Sequence, residues 1–187
     1  MTTLSPSSAP ARLAHYDTTT IVLHWLTVVL VLGLFALAEI WGFLPRGTPT
    51  RRLLQSLHIS FGLAFACVFV LRLVWRLSAG RRLPRATSGW MGAASVGVHG
   101  LLYLLMAAQI VLGFLFRWAQ GEPFAFFGLF DIPTLIPIAH EQRRFIGGLH
   151  DTVAWIIITL AALHALAALF HHYVLRDGVL RRMTSSR

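Results

Sequence analysis

Four long apolar stretches constrain this chain more than any other feature. They run approximately from Thr18 to Trp41, Leu53 to Leu77, Gly92 to Trp118 and Leu149 to Val174. A helix rises about 1.5 Å per residue, so roughly 20 apolar residues cross a hydrocarbon layer of about 30 Å. Each stretch meets that length. The breaks between them are marked by turn-forming residues: Pro45-Arg46-Gly47 with Pro49, then Gly80 to Arg85, then a Pro- and Phe-rich run from Pro123 to His140. That last run is too interrupted to span a membrane and is expected to lie at the outer interface as a lid on the bundle. Ala36-Leu37-Ala38 has the look of a signal-peptide cleavage site. Its apolar run is longer than a signal core and is preceded by a Ser/Thr/Pro-rich segment in which Arg12 is the one basic residue, so a retained helix is expected.

The charge balance supports a membrane reading and sets an orientation. Charged residues make up 12% of the chain, about half the share of a soluble domain. All 16 basic residues are Arg and face 7 acidic ones. Basic stretches interleaved with base-stacking aromatics are lacking, which argues against nucleic acid as a partner. Four crossings put both termini on one side. That side collects Arg12, Arg72, Arg76, Arg81, Arg82, Arg85, Arg176, Arg181, Arg182 and Arg187; the other has Arg46, Arg51, Arg52, Arg117, Arg143 and Arg144. The excess predicts cytoplasmic termini in a bacterial inner membrane. Residues 1–17 then form a cytoplasmic segment, 18–177 the transmembrane domain and 178–187 a cytoplasmic tail. Cys67, alone in an apolar run, excludes an intrachain disulfide and reads as packing.

Any cofactor must therefore be held by nitrogen or oxygen, and the chain has nine His residues. An ionisable group inside a bilayer is costly unless partnered, so the intramembrane ones are functional candidates. His150 and His164 are 14 residues apart on the fourth stretch, which puts them within about 40° of one face and about 21 Å apart along the axis. His24 on the first stretch matches the depth of His164, and His58 on the second matches His150. Two neutral imidazoles meeting from opposite helices can fill both axial positions of a heme iron. The pattern thus predicts an outer pair, His58 and His150, and an inner pair, His24 and His164. Gly62, one turn after His58, and the Ala residues around His164 make room for a macrocycle or serve plain helix packing.

Two further residues have competing readings. Arg72 shares a face with His58 and lies near the inner layer, where it could pair with a heme propionate or snorkel to the headgroups. His171, seven residues after His164, suits a quinone contact or proton relay, or is a plain interfacial residue. His99, on the third stretch, reads as hydrogen-bonded packing. Arg51, Arg52, Arg143 and Arg144 could serve the outer propionates or anchor the interface.

Leu23-His24-Trp25, Leu57 to Gly62, Val70 to Arg76, His99 to Leu105, Leu149-His150, Leu163-His164 and the tail from His171 through Asp177 to Met183 together resemble the bacterial cytochrome b561 family, which includes superoxide oxidase and heme-b subunits of hydrogenases. The resemblance covers nearly the whole chain from Tyr16. It implies an all-α integral membrane four-helix bundle with two bis-histidine b hemes in its core, exchanging electrons with ubiquinone. It places the family's ligands at His24 and His164 and at His58 and His150, and a quinone-side residue at His171. Three functions are compatible: electron transfer from a periplasmic donor such as superoxide to quinone, which would make the chain a superoxide:ubiquinone oxidoreductase; a non-catalytic heme-b subunit or anchor of a dehydrogenase or hydrogenase; and a histidine-lined metal-binding transporter.

Overall fold

A computed structural model describes residues 15–84, 88–122 and 124–184; Arg12, Arg85 and Arg187, used in the orientation argument, lie outside them. Four helices, α1 (Thr18–Gly42), α2 (Pro49–Ser78), α3 (Gly89–Gln120) and α4 (Arg143–Phe170), account for most of the chain and are long and apolar enough to cross a membrane. A short antiparallel hairpin, β1 (Phe124–Phe126) with β2 (Phe130–Ile132), interrupts the α3–α4 connection. It pairs Phe124 with Ile132 and Phe126 with Phe130. After α4 come a π-helical turn, His171–Leu175, and a 3-10 turn, Leu180–Met183.

The helix boundaries follow from local chemistry. Asp17 caps α1 by accepting the Thr20 N–H at 2.8 Å. Thr48 caps α2, with Pro49 in the first turn where its missing N–H costs nothing. Gly121, at φ +70, ends α3 in the left-handed conformation. The last carbonyls of α1 are satisfied from the next helix: Arg51 Nη1 donates to Trp41 O at 2.8 Å and to Leu44 O at 2.7 Å. Arg51 is thereby committed to the α1–α2 turn.

Helix α4 begins six residues before the expected Leu149. Arg143, Arg144 and the Gly147-Gly148 pair end the apolar run in the sequence but not the helix. Gly147 is set by packing, since a Cβ there would meet Phe116 Cε2 at 2.8 Å. His150 consequently lies two turns inside α4.

The helices associate as two hairpins. α1 packs closely on α2 and α3 on α4, whereas α1 meets α4, and α2 meets α3, at few points. The space between the hairpins is filled at mid-depth by the buried side chains of Phe65, Phe69, Met106 and Ile157. Outward faces are apolar instead of polar, with Val29, Leu32, Val70, Leu71, Leu104, Val111 and Leu166 exposed, the inverse of a water-soluble bundle and the surface that lipid requires. Cys67 belongs to that outer surface, contrary to the packing role expected from sequence.

The first and last described segments meet at one end, called the terminal end below. Tyr16 N donates to Arg182 O at 3.1 Å, and Trp25 Nε1 donates to Met183 O at 2.9 Å. Arg182 Nη1 reaches Pro84 O at 2.8 Å, drawing the α2–α3 link into the same clasp. The opposite end carries the α1–α2 turn and the hairpin, and is called distal below.

Candidate heme-binding layers

Between the two helical hairpins the chemistry-bearing side chains collect at two depths. At the distal layer, His58 of α2 faces His150 of α4 with ring centroids 6.3 Å apart and an interplanar angle of 74°. His58 lies nine residues in from Pro49 and His150 seven in from Arg143, depths that agree to about 3 Å. The His58 ring is oriented by its Nδ1, 3.0 Å from Leu34 O, and by the edge of Trp41 at 5.0 Å. Opposite it, Gln109 Nε2 donates to the carbonyl of His150 at 3.0 Å and lies 3.2 Å from His150 Nε2, while the buried His150 Nδ1 has no partner.

A cavity of about 550 Å³ surrounds this pair. Gly62 and Gly113 line it: a Cβ on Gly62 would meet nothing within 4 Å, and one on Gly113 would touch the His150 ring at 3.5 Å. The volume falls in the usual range for an enclosed ligand site. Two metal–nitrogen bonds of about 2 Å, plus the reach from each nitrogen to its ring centre, put a bis-imidazole pair roughly 6 Å apart between centroids. The distal residues therefore fit a heme iron between His58 and His150. Gly62 contributes open space there, not a close helix contact.

The distal mouth of the cavity is of mixed charge. Glu39, Asp151 and Glu122 line it together with Arg117 and Arg143. Arg117 Nη1 lies 3.3 Å from a Glu122 carboxylate oxygen, and Arg51 is turned into the helix cap. Of the distal Arg residues, those facing the cavity are thus balanced by carboxylates.

The terminal layer is built differently, with one polar side chain from each helix. His24 lies six residues in from Thr18, Arg72 six before Ser78, and His164 six before Phe170. Arg72 does not snorkel outward: its Nη2 donates to His24 Nδ1 at 3.1 Å, and its guanidinium lies 5.2 Å from the Tyr103 ring centre. His24 and His164 thus lie at one depth on α1 and α4. His99 of α3 enters the same group, edge-on to His164 at 5.0 Å with its Nδ1 held 2.6 Å from Ser95 O. The hydrogen-bonded role expected for His99 is present, but its contact with His164 was not visible in the sequence. Spacing could have shown it, because His99 lies ten residues into α3, near the depth of Arg72. Two imidazoles and a cation beside them are the donor set for a heme and one of its carboxylates. Here Arg72 already engages one of the candidate ligands, so the composition fits while the facing-pair geometry of the distal layer is not repeated.

His171 stands apart from both layers. It begins the π-helical turn and pairs through Nδ1 with Asp177. That partner, with the Val179 N–H, holds the Asp177 carboxyl below its ordinary value although its partial burial pushes the other way. Among the described residues, no group of three or more His, Cys, Asp or Glu is arranged to hold a bare metal ion.

Comparison with known proteins supplies a family. The family profile described as prokaryotic cytochrome b561 matches residues 15–186. The chain is 33% identical over 182 residues to cytochrome b561 homolog 2 of Escherichia coli strain K12, covering 96% of this chain and 95% of the relative. It is also 33% identical over 174 residues to cytochrome b561 homolog 1 of the same organism, covering 92% and 98%. A probable superoxide oxidase, CybB of Yersinia pestis, matches at 33% over 177 residues, covering 90% of this chain and 94% of the relative.

Proposed function

The chain belongs to the prokaryotic cytochrome b561 family and is a multi-pass membrane protein of b-type heme electron transfer; from that premise we propose that it carries electrons from a periplasmic donor to membrane ubiquinone through two hemes. His58 and His150 hold one and His24 and His164 the other. Each bound heme supplies a one-electron relay. The observation that carries the reading is the pair of imidazole layers at opposite ends of one membrane-crossing bundle, separated by the apolar partition of Phe65, Phe69, Met106 and Ile157.

The protein's own groups have distinct parts in this scheme. Leu34 O and Trp41 fix the His58 ring so that its Nε2 faces the cavity. Arg72 places a positive charge at the terminal layer, suited to a propionate. His171, at the terminal end and linked to Asp177, would hydrogen-bond a quinone carbonyl and exchange a proton with the cytoplasm; its ion pair and its place outside both histidine layers support that role. The excess of Arg at the terminal end supports cytoplasmic termini.

Superoxide is the donor we place first, supported by the 33% identity to the Yersinia pestis relative. A second reading, an electron conduit or anchor for a dehydrogenase or hydrogenase subunit, draws on the mixed-charge mouth, because carboxylates at Glu39 and Asp151 oppose the steering of a small anion that unpaired Arg would give. Pyridine hemochromogen quantitation on the purified chain should give two b hemes per chain; one heme or none would end the two-layer reading. Stopped-flow mixing with superoxide should then reduce the heme bands faster than a heme-free control consumes the anion. Without such reduction, and with a redox subunit copurifying from native membranes, the conduit reading prevails.

A further inference from the structure

Ser60 is only 1% exposed, yet it sits on a helix that packs mostly through apolar contacts. It lies two residues after His58 and eleven after Pro49, about 16 Å along the α2 axis from the distal end. Its hydroxyl accepts the Phe127 N–H at 2.9 Å and donates to Ala125 O at 3.3 Å. Both backbone groups belong to the β1–β2 hairpin. The hairpin therefore does not rest on top of the bundle; it descends along α2 to the depth of the distal histidines. There it occupies the region where α2 and α3 make few direct contacts. Phe124, 3% exposed, packs against Leu63 of α2 and Trp118 of α3, and it lines the distal cavity. Phe127 adopts φ +49, an unfavourable value for a bulky residue, while its ring meets the edge of Phe61 at 5.3 Å.

Non-helical backbone at hydrocarbon depth persists only where the protein satisfies its polar groups. In a two-stranded hairpin the outward-facing backbone groups lack ladder partners, and Ser60 supplies one donor and one acceptor at the tip. We propose that the hairpin is a re-entrant wall, pinned by Ser60, that closes the α2–α3 side of the distal cavity against lipid and leaves the mouth at Glu39, Arg143 and Asp151 as its aqueous approach. The inference rests on the distal layer being a heme site. Its consequence is a restriction on access: a water-borne reductant meets the distal layer through the mouth, and a lipid-dissolved molecule is kept from entering it between α2 and α3.

The test uses the holoprotein in lipid nanodiscs, with a lipid-soluble diazirine probe read by mass spectrometry and hydrogen exchange read on peptides across residues 124–132. In the wild type, Leu129 and Phe130, exposed at 76% and 57%, should label strongly, and Leu63 and Phe124 at least several-fold less; the peptide should exchange slowly. Ser60→Ala should raise labelling of Leu63 and Phe124 several-fold and speed exchange, while Ser60→Thr, which keeps the hydroxyl, should behave as wild type. Equal labelling of cavity and tip residues in the wild type, or a hairpin that exchanges as fast as a free loop, overturns the wall. So does Ser60→Ala with unchanged labelling. If Ser60→Ala does not assemble, the wild-type measurements decide alone. Hemochromogen assay of the same wild-type sample separates the two readings, because a protected hairpin without heme sinks the heme site and spares the wall, and a labelled cavity with full heme does the reverse.

Discussion

The distal and terminal layers share two helices and the same 14-residue spacing, yet they present different chemistry. On α2 the spacing separates His58 from Arg72, and on α4 it separates His150 from His164. The second imidazole of the terminal layer comes from α1, through His24, and Arg72 adds a cation in direct contact with it, whereas Arg117 and Arg143 line the distal cavity among carboxylates. The distal layer is a facing pair in a cavity of about 550 Å³ with Gly62 and Gly113 in its lining. The terminal layer is a contact group of His24, Arg72, His99 and His164 beneath a hydrogen-bonded clasp. The difference suggests a division of labour. The distal layer leaves room for a rigid group below a mixed-charge mouth, and the terminal layer gathers charge and exchangeable protons in direct contact.

The largest expected effect tests whether the layers are independent. His164→Ala should remove one heme of two and leave the distal signal in the low-temperature absorption spectrum, while His58→Ala should do the opposite. Loss of neither heme in one of these variants refutes its ligand assignment; loss of both in either shows that the layers assemble as one unit. A graded version is Gly62→Leu. Its side chain would enter the open space beside His58, so distal heme occupancy should fall several-fold with the terminal heme retained. Full occupancy of both would mean that the macrocycle does not use that space.

A smaller effect separates charge from ligation. Arg72→Gln should keep two hemes but lower the terminal midpoint potential by roughly 50–100 mV, because removing a nearby cation disfavours the more negative reduced state. Arg72→Lys should lie in between, and the distal potential should move little. A terminal potential that does not change, measured by redox titration, would place Arg72 outside the electrostatic environment of that heme.

The share of this that was legible in the sequence follows the range of the interactions. Four helices and two matched depths were readable because apolar length and a 14-residue period are local properties. Helix α4 was read too short because Gly147-Gly148 and two Arg residues carry local signals of termination, overruled by the packing of Phe116. The hairpin's descent beside α2 was hidden for a stronger reason: it depends on Ser60 meeting Phe127 across 67 residues, and a serine in an apolar helix advertises nothing. His99, near the inner start of the third stretch, reads as hydrogen-bonded packing, whereas its contact with His164 arises only once α3 and α4 pack. Arg51 could serve a cofactor on charge alone; its commitment to Trp41 O and Leu44 O needed the turn geometry.

The smallest expected effect concerns what keeps the terminal layer under its clasp. Asp17 Oδ1 accepts from Thr20 N and from Trp75 Nε1 at 2.9 Å, and its Oδ2 accepts from Thr20 Oγ1 at 2.7 Å and Arg81 N at 3.0 Å. One carboxylate thus joins the start of α1 to the end of α2. Its partial burial favours the neutral form, but those hydrogen bonds outweigh it and hold the carboxyl well below the ordinary value of 3.8. A depressed folded value means that the stabilisation is present above about pH 4 and is lost as pH falls through the folded pKa. Asp17→Ala should cost about 1–2 kcal/mol, read as a drop of a few degrees in the thermal transition at pH 7, with the gap from wild type narrowing only in strong acid. Because the distal layer shares none of these bonds, its heme band should be unchanged at the temperature where the terminal band first broadens. If both bands fail together in wild type and variant alike, the clasp does not stabilise one end in preference to the other.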